Sequence, residues 1–138
     1  MIICNDNERV GMWIAEKSDG GYRDGSICIG VEKNKKLVAG IMYEWFNGTS
    51  VYVHVAAEKN WFDREFLLYC FHYPFIEMDC NVMIGLVPEA NLKARKLDEH
   101  LGFTLKHIIP EAHPQGGLCI YTMYKHECKW LRIKNVIA

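Results

Sequence analysis

The chain has 138 residues, half of them hydrophobic and 24% charged, with 16 basic against 17 acidic side chains and a formal charge of −1. That length fits one domain with a core of its own, and the composition excludes a disordered chain. The balanced charge excludes a global field for nucleic-acid phosphates or anionic membranes, and no run approaches the ~18 apolar residues of a membrane span.

Taken in order, the pattern predicts a single domain over residues 1–138, with a short N-terminal helix and loop over 1–25 and a tail over 126–138. Asn5 with Glu8 three residues later resembles a capping box, and Val10, Trp13 and Ile14 follow at helical spacing, which predicts a helix from about Asp6 to Lys17. Asp19-Gly20-Gly21 ends it, and the polar stretch to Gly25 reads as a loop. From Ser26 to Ala57 the period changes to two: Ile27, Ile29 and Val31, then Leu37 to Trp45, then Val51, Val53 and Val55. Lys33-Asn34-Lys35-Lys36 is a polar turn and Asn47-Gly48 is the dipeptide favoured in tight hairpins, so these segments predict an antiparallel meander. Gly40 marks a bulge or a close packing contact within its strand.

Phe62 to Met78 is apolar on most sides, as suits a helix buried on one side by a sheet and on the other by a further surface, such as a partner subunit in a homo-oligomer. Pro74 kinks or ends that helix near Tyr73. Val82 to Val87 reads as a short strand. Ala90, Ala94, Leu97 and Leu101 then recur at the spacing of one helical side, Gly102 suits a left-handed C-terminal cap, and Phe103 opens a run with strand character. Thr104 to Ile109 and Leu118 to Lys125 are predicted strands, with Pro110 to Gly117 as the loop between them. The charged stretch Lys125 to Lys134 reads as a solvated tail in preference to a basic patch.

Six cysteines, Cys4, Cys28, Cys70, Cys80, Cys119 and Cys128, are scattered through these patterns, which points to free thiols in a reducing cytoplasm. No Cys-x-x-Cys or His-x-x-x-His pair exists, and the adjacent His126-Glu127-Cys128 point in different directions on any regular element, so no metal site is expected.

The order helix, three-strand meander, helix, strand, helix, strand, strand is joined by one motif: Asn91, Ala94, Glu99 and Leu101-Gly102-Phe103. Together they resemble the GNAT superfamily of acyl-CoA-dependent N-acetyltransferases, whose signature is Asn-x-x-Ala-x-x-x-Tyr-Glu-x-x-Gly-Phe. The resemblance covers about Ser26 to Tyr124. It implies an α+β fold with a mixed, mostly antiparallel central sheet flanked by helices, two of whose strands splay to form a cofactor cleft. It also implies acetyl-CoA as co-substrate and a primary amine of a small molecule or protein as acceptor. The resemblance assigns the cofactor's thioester and pantetheine to the main chain of Val53, Val55 and Ala56, and to Asn91 and Ala94 at the start of the motif helix. Asn91 reads equally as that helix's cap.

The chain departs from the family twice. The glycine-rich phosphate loop, Arg/Gln-x-x-Gly-x-Gly/Ala, is replaced by Asn60-Trp61-Phe62-Asp63-Arg64-Glu65, leaving Lys59, Phe62 and Arg64 as the implied contacts beside two carboxylates. Asp98 stands where the family usually has a proton-donating tyrosine, and Arg95 three residues earlier would lower its pKa through a salt bridge. His54 is the best-placed base candidate, since imidazole titrates near neutrality; Tyr121, Tyr124 and His113 are further proton carriers. The chain also resembles small divergent GNAT proteins of bacteriophages, in Gly85-Leu86-Val87-Pro88 and Asp98 to Phe103. That second resemblance implies an alternative, a catalytically inactive virion component or host-protein-binding module. A nucleic-acid base modifier is disfavoured by the charge balance.

Overall fold

The computed structural model describes residues 1–18, 21–59, 61 and 63–132. The expected roles of Asp19, Gly20, Asn60 and Phe62, and the end of the tail, lie outside them. A seven-stranded sheet has the order β1-β2-β3-β4-β5-β7-β6, formed by β1 (Ile2–Ile3), β2 (Ile27–Lys33), β3 (Lys36–Glu44), β4 (Ser50–Ala57), β5 (Val82–Pro88), β6 (Thr104–His113) and β7 (Gly116–Tyr124). Every neighbouring pair is antiparallel except β4 with β5, which run parallel. This is the mixed, mostly antiparallel α+β architecture expected, with β1 as an addition too short for any periodicity to reveal. No helix among the described residues is long and apolar enough to cross a membrane.

Helix α1 (Asn7–Lys17) covers one face of the meander. Its cap is Asp6, whose carboxylate accepts from the Arg9 N–H at 3.4 Å; Asn5 is not the cap. Asn7 Oδ1 instead accepts from the Cys28 N–H at 2.9 Å, tying the helix start to β2. Val10 and Ile14 pack onto Gly40, where a Cβ would lie 3.0 Å from Ile14 Cδ1. Gly40 is thus a close packing contact, and the bulge falls at Val31/Glu32. The β2–β3 turn places Asn34 and Lys35 at φ 53° and 64°, the left-handed pair a two-residue hairpin needs. Asn47-Gly48 does not make a tight hairpin: Asn47 Oδ1 accepts from the Thr49 and Ser50 N–H groups at 2.9 and 2.8 Å and shapes a longer loop.

The other face carries α2 (Arg64–His72) and α3 (Leu92–Leu101) over a core that includes Tyr43, Phe71, Phe75, Met83 and Tyr121. As expected of Pro74, α2 ends at His72, with Tyr73 as its C-cap. The chain widens into a π-type turn over Tyr73–Glu77, closed by the Met78 N–H on the Tyr73 carbonyl at 3.0 Å. The Cys70 carbonyl, which Pro74 cannot serve, accepts the Tyr43 hydroxyl at 2.5 Å. One flank of α2, at Phe71, is covered by the chain itself, while Arg64, Glu65 and Tyr69 stay exposed. A 3-10 turn at Lys129–Arg132 brings Trp130 flat onto Phe71, centroids 5.8 Å apart, and its indole N–H donates to the Leu101 carbonyl at 2.8 Å. The segment read as a solvated tail is therefore part of the packing, at least to Trp130, with Cys128 buried beneath it.

One further correction concerns Pro110 to Gly117. Most of it is strand: β6 continues to His113 with bulges, one of which places Glu111 at φ 61°, and the turn is confined to Pro114-Gln115. Pro110 is tolerated because β6 is the sheet edge and one side of it needs no donor.

Candidate active site

β4 and β5 are paired only from Ser50–Val82 to Val53–Gly85. Each then keeps its other neighbour: β4 stays with β3 to Ala57, and β5 stays with β7 to Pro88. The two strands therefore part after Val53 and Gly85, and the peptide edges that face the gap have no partner strand. Beyond the parting lies a cleft of about 550 Å3, within the range of sites that hold small molecules. One wall is Val55, Ala56, Ala57 and Lys59; the other is α3, through Asn91, Ala94, Leu97 and His100. Alanines at 56, 57 and 94 keep the gap open where larger side chains would close it. Lys17, Lys93 and Lys96 join Lys59 at its rim, so cationic side chains surround a cleft that lacks a glycine-rich phosphate loop.

The α3 wall is set by its caps. Asn91 Oδ1 accepts from the Ala94 N–H at 3.1 Å, and Gly102 ends the helix at φ 111°, where its N–H reaches the Asp98 and Glu99 carbonyls. Asn91 thus acts as cap and cleft wall together. Arg95 does not bridge to Asp98. Its Nε donates to the Tyr121 hydroxyl at 3.1 Å and its Nη1 to the Glu89 carbonyl at 3.2 Å, while Tyr121 donates to Glu99 Oε2 at 2.6 Å. This chain of bonds fastens α3 to β7. It also occupies Tyr121, whose hydroxyl burial pushes above its ordinary pKa.

Asp98 lies at the apex of the parting. Its Oδ2 would be 3.3 Å from a Cβ on Gly85, the last β5 residue paired with β4. The side chain is buried, and its pKa is pushed up to about 7, first by loss of solvent and then by the neighbouring Glu99 charge. The salt bridge expected to lower it is absent because Arg95 is engaged elsewhere.

His54 projects from the opposite, α1-facing side of β4, opposite Met42. Its Nε2 lies 2.8 Å from Glu44 Oε1, and Glu44 Oε2 lies 2.8 Å from Arg23 Nη1. The Glu44 side chain is only 4% exposed, so the carboxylate is held between two cationic or donor groups rather than by water. With Nε2–H given to Glu44, Nδ1 is the acceptor nitrogen of the ring. Burial lowers the His54 pKa more than Glu44 restores it, and Arg23 lowers it further, which keeps the imidazole neutral at pH 7.

Of the residues singled out from the sequence, Val55, Ala56, Lys59, Asn91 and Ala94 line the cleft. Val53 is core, still paired with Gly85, at the apex; His54 and Asp98 flank the apex from opposite faces and do not line the cavity beyond it. Arg64 begins α2 and is exposed, away from the cleft lining. Tyr124 is 39% exposed at the end of β7, and His113 Nδ1 accepts the Gln115 N–H at 3.1 Å in the hairpin turn. Sequence reasoning missed Glu44 and the lysines at 17, 93 and 96. Lys93, Leu97 and His100 share one helical side, the available signal; nothing local marks Glu44.

No protein-family model and no curated protein matches the chain. Solved structures do. A mutant form of the spermidine/spermine N-acetyltransferase SpeG of Vibrio cholerae superposes with a TM-score of 0.71 at 14% identity, covering 98% of this chain and 99% of that one. The spermidine N-acetyltransferase of the same organism, in complex with CoA and spermine, gives a TM-score of 0.72 at 13% identity, over 95% and 97% of the two chains. The N-acetyltransferase PseH of Campylobacter jejuni, in complex with acetyl coenzyme A, gives 0.55 at 16% identity, over 75% and 70%. The fold is that of GNAT acetyltransferases.

Proposed function

We propose that the chain is an N-acetyltransferase that moves an acetyl group from acetyl-CoA to a primary amine. The observation that carries this reading is the parting of β4 and β5 after Val53 and Gly85 into an open cleft of about 550 Å3. The fit rests on peptide edges left unpaired for an extended chain, on small side chains at Ala56, Ala57 and Ala94, and on lysines at the rim for phosphates. Acetyl-CoA, when bound, supplies the activated acyl group. The superposed Vibrio and Campylobacter enzymes, solved with CoA or acetyl coenzyme A, support that choice of ligand.

The chain's own residues divide the proton work between the two faces. His54, neutral and oriented by Glu44, takes the amine proton at Nδ1 from the α1 side. Asp98, its pKa raised to about 7 by burial, keeps its proton in a substantial share of molecules at neutral pH, the state in which a carboxyl at the apex on the α3 side can donate. Loss of a positioned general base costs on the order of 100-fold. His54→Ala should therefore reduce CoA release with an amine panel by about that factor while leaving acetyl-CoA binding intact; equal turnover would remove the base assignment. The replaced phosphate loop favours a second reading, a binding module of the kind suggested by the phage resemblance. Acetyl-CoA binding with no thiol release on any amine would support it.

A further inference from the structure

Among the described residues, no helix packs on the α1-facing side of β5 and β7, an apolar floor that runs up to His54. Helix α1 packs on β2, β3 and β4, and leaves Ile84, Leu86, Ile120 and Thr122 partly buried, with some apolar surface open. Leu86 follows Gly85, the residue paired with Val53, so the floor begins at the apex beside His54. β5 and β7 place no carboxylate on this face; its residues are Val82, Ile84, Leu86 and Pro88, and Leu118, Ile120, Thr122 and Tyr124. The Thr122 hydroxyl is buried and has no hydrogen-bond partner. Glu44, the carboxylate nearest His54, is already engaged by Arg23 and His54.

We infer that the acceptor is a primary amine carried on an apolar body that lies on this floor with its amino group at His54. The inference rests on the acetyl-transfer reading and names the substrate class of that site. Charge decides against a polyamine, because a second or third ammonium would meet no free carboxylate along β5 and β7. Size decides against a folded protein partner: strand spacing makes the floor about 10 Å wide and ~20 Å long, well below the ~800 Å2 that a standard partner covers. An arylalkylamine and an apolar peptide N-terminus present the same chemistry and fit within it.

The experiment compares phenethylamine, the dipeptide amide of leucine and phenylalanine, and spermidine as acceptors, with acetyl-CoA binding followed separately by melting shift. One or both apolar amines should exceed spermidine in kcat/KM by about tenfold or more, the scale on which apolar contact discriminates. Which of the two is faster identifies the source. Leu86→Thr and Ile120→Thr, each checked for a retained acetyl-CoA shift, should raise KM for the preferred amine about fivefold to tenfold. Preference for spermidine, or unchanged KM in both variants, overturns the inference while leaving acetyl transfer in place. Absence of acetyl-CoA binding overturns both.

Discussion

Replacing Asp98 by asparagine should make the fold more stable at pH 8 and less active below about pH 7, where the wild-type carboxyl holds its proton. The wild-type carboxyl titrates at about 7 in the folded chain against 3.8 for a free aspartate, because it is buried over Gly85 and beside Glu99. The folded state therefore holds a proton that the unfolded state gives up. The stability this contributes is complete below about pH 4, declines as pH rises, and is gone above about pH 7, where the buried group must ionise or unfold. A difference of that size corresponds to at most about 4 kcal/mol. An amide carries no such penalty, so melting curves of the two proteins should coincide near pH 4 and separate progressively to pH 8, the variant melting higher. Turnover below about pH 7 should fall about 100-fold with loss of the donor, and the difference should narrow as the wild-type carboxyl ionises. Parallel stability curves would show that Asp98 is solvated; undiminished turnover below about pH 7 would remove its role.

Trp130→Ala should lower stability by about 3 kcal/mol, or roughly 10 °C in melting temperature for a domain of this size. The indole stacks on Phe71 and donates to the Leu101 carbonyl, so truncation opens a void over α2 and leaves the last turn of α3 without that partner. A change below about 0.5 kcal/mol, the range of ordinary surface substitutions, would mean that the segment is the solvated tail its charge suggests.

These two residues also show where the sequence was readable. The apolar periods of α1, the meander and α3 depend on neighbours within a few residues, so they appear in the sequence, as do Gly102 and the Asn91 cap. Trp130 is hidden by Lys125, Lys129 and Arg132 around it, and its partner Phe71 is far away in the chain. Asp98 was misjudged for the same reason: the three-residue spacing from Arg95 suggests a pair, but Tyr121 from β7 claims the guanidinium. The parting of β4 and β5 leaves no local trace, because Val51, Val53 and Val55 alternate alike although only the first two lie in the paired stretch. Glu44 follows an apolar run at the end of β3, and only the fold brings Arg23 and His54 to it. The edge strand β6 is exposed along most of its length, so its far half lacked the alternation that would distinguish it from a loop.

The central claim is that the gap between β4 and β5 grips a CoA thioester. Thermal melting with and without acetyl-CoA tests it, run on the wild type and on Ala94→Trp, which fills the gap from the α3 wall. At 100 times its dissociation constant the ligand should add about 2.7 kcal/mol to the wild type, a shift of several degrees, and nothing to a variant that folds but has no gap. No shift in the wild type, or an equal shift in both, would contradict the account.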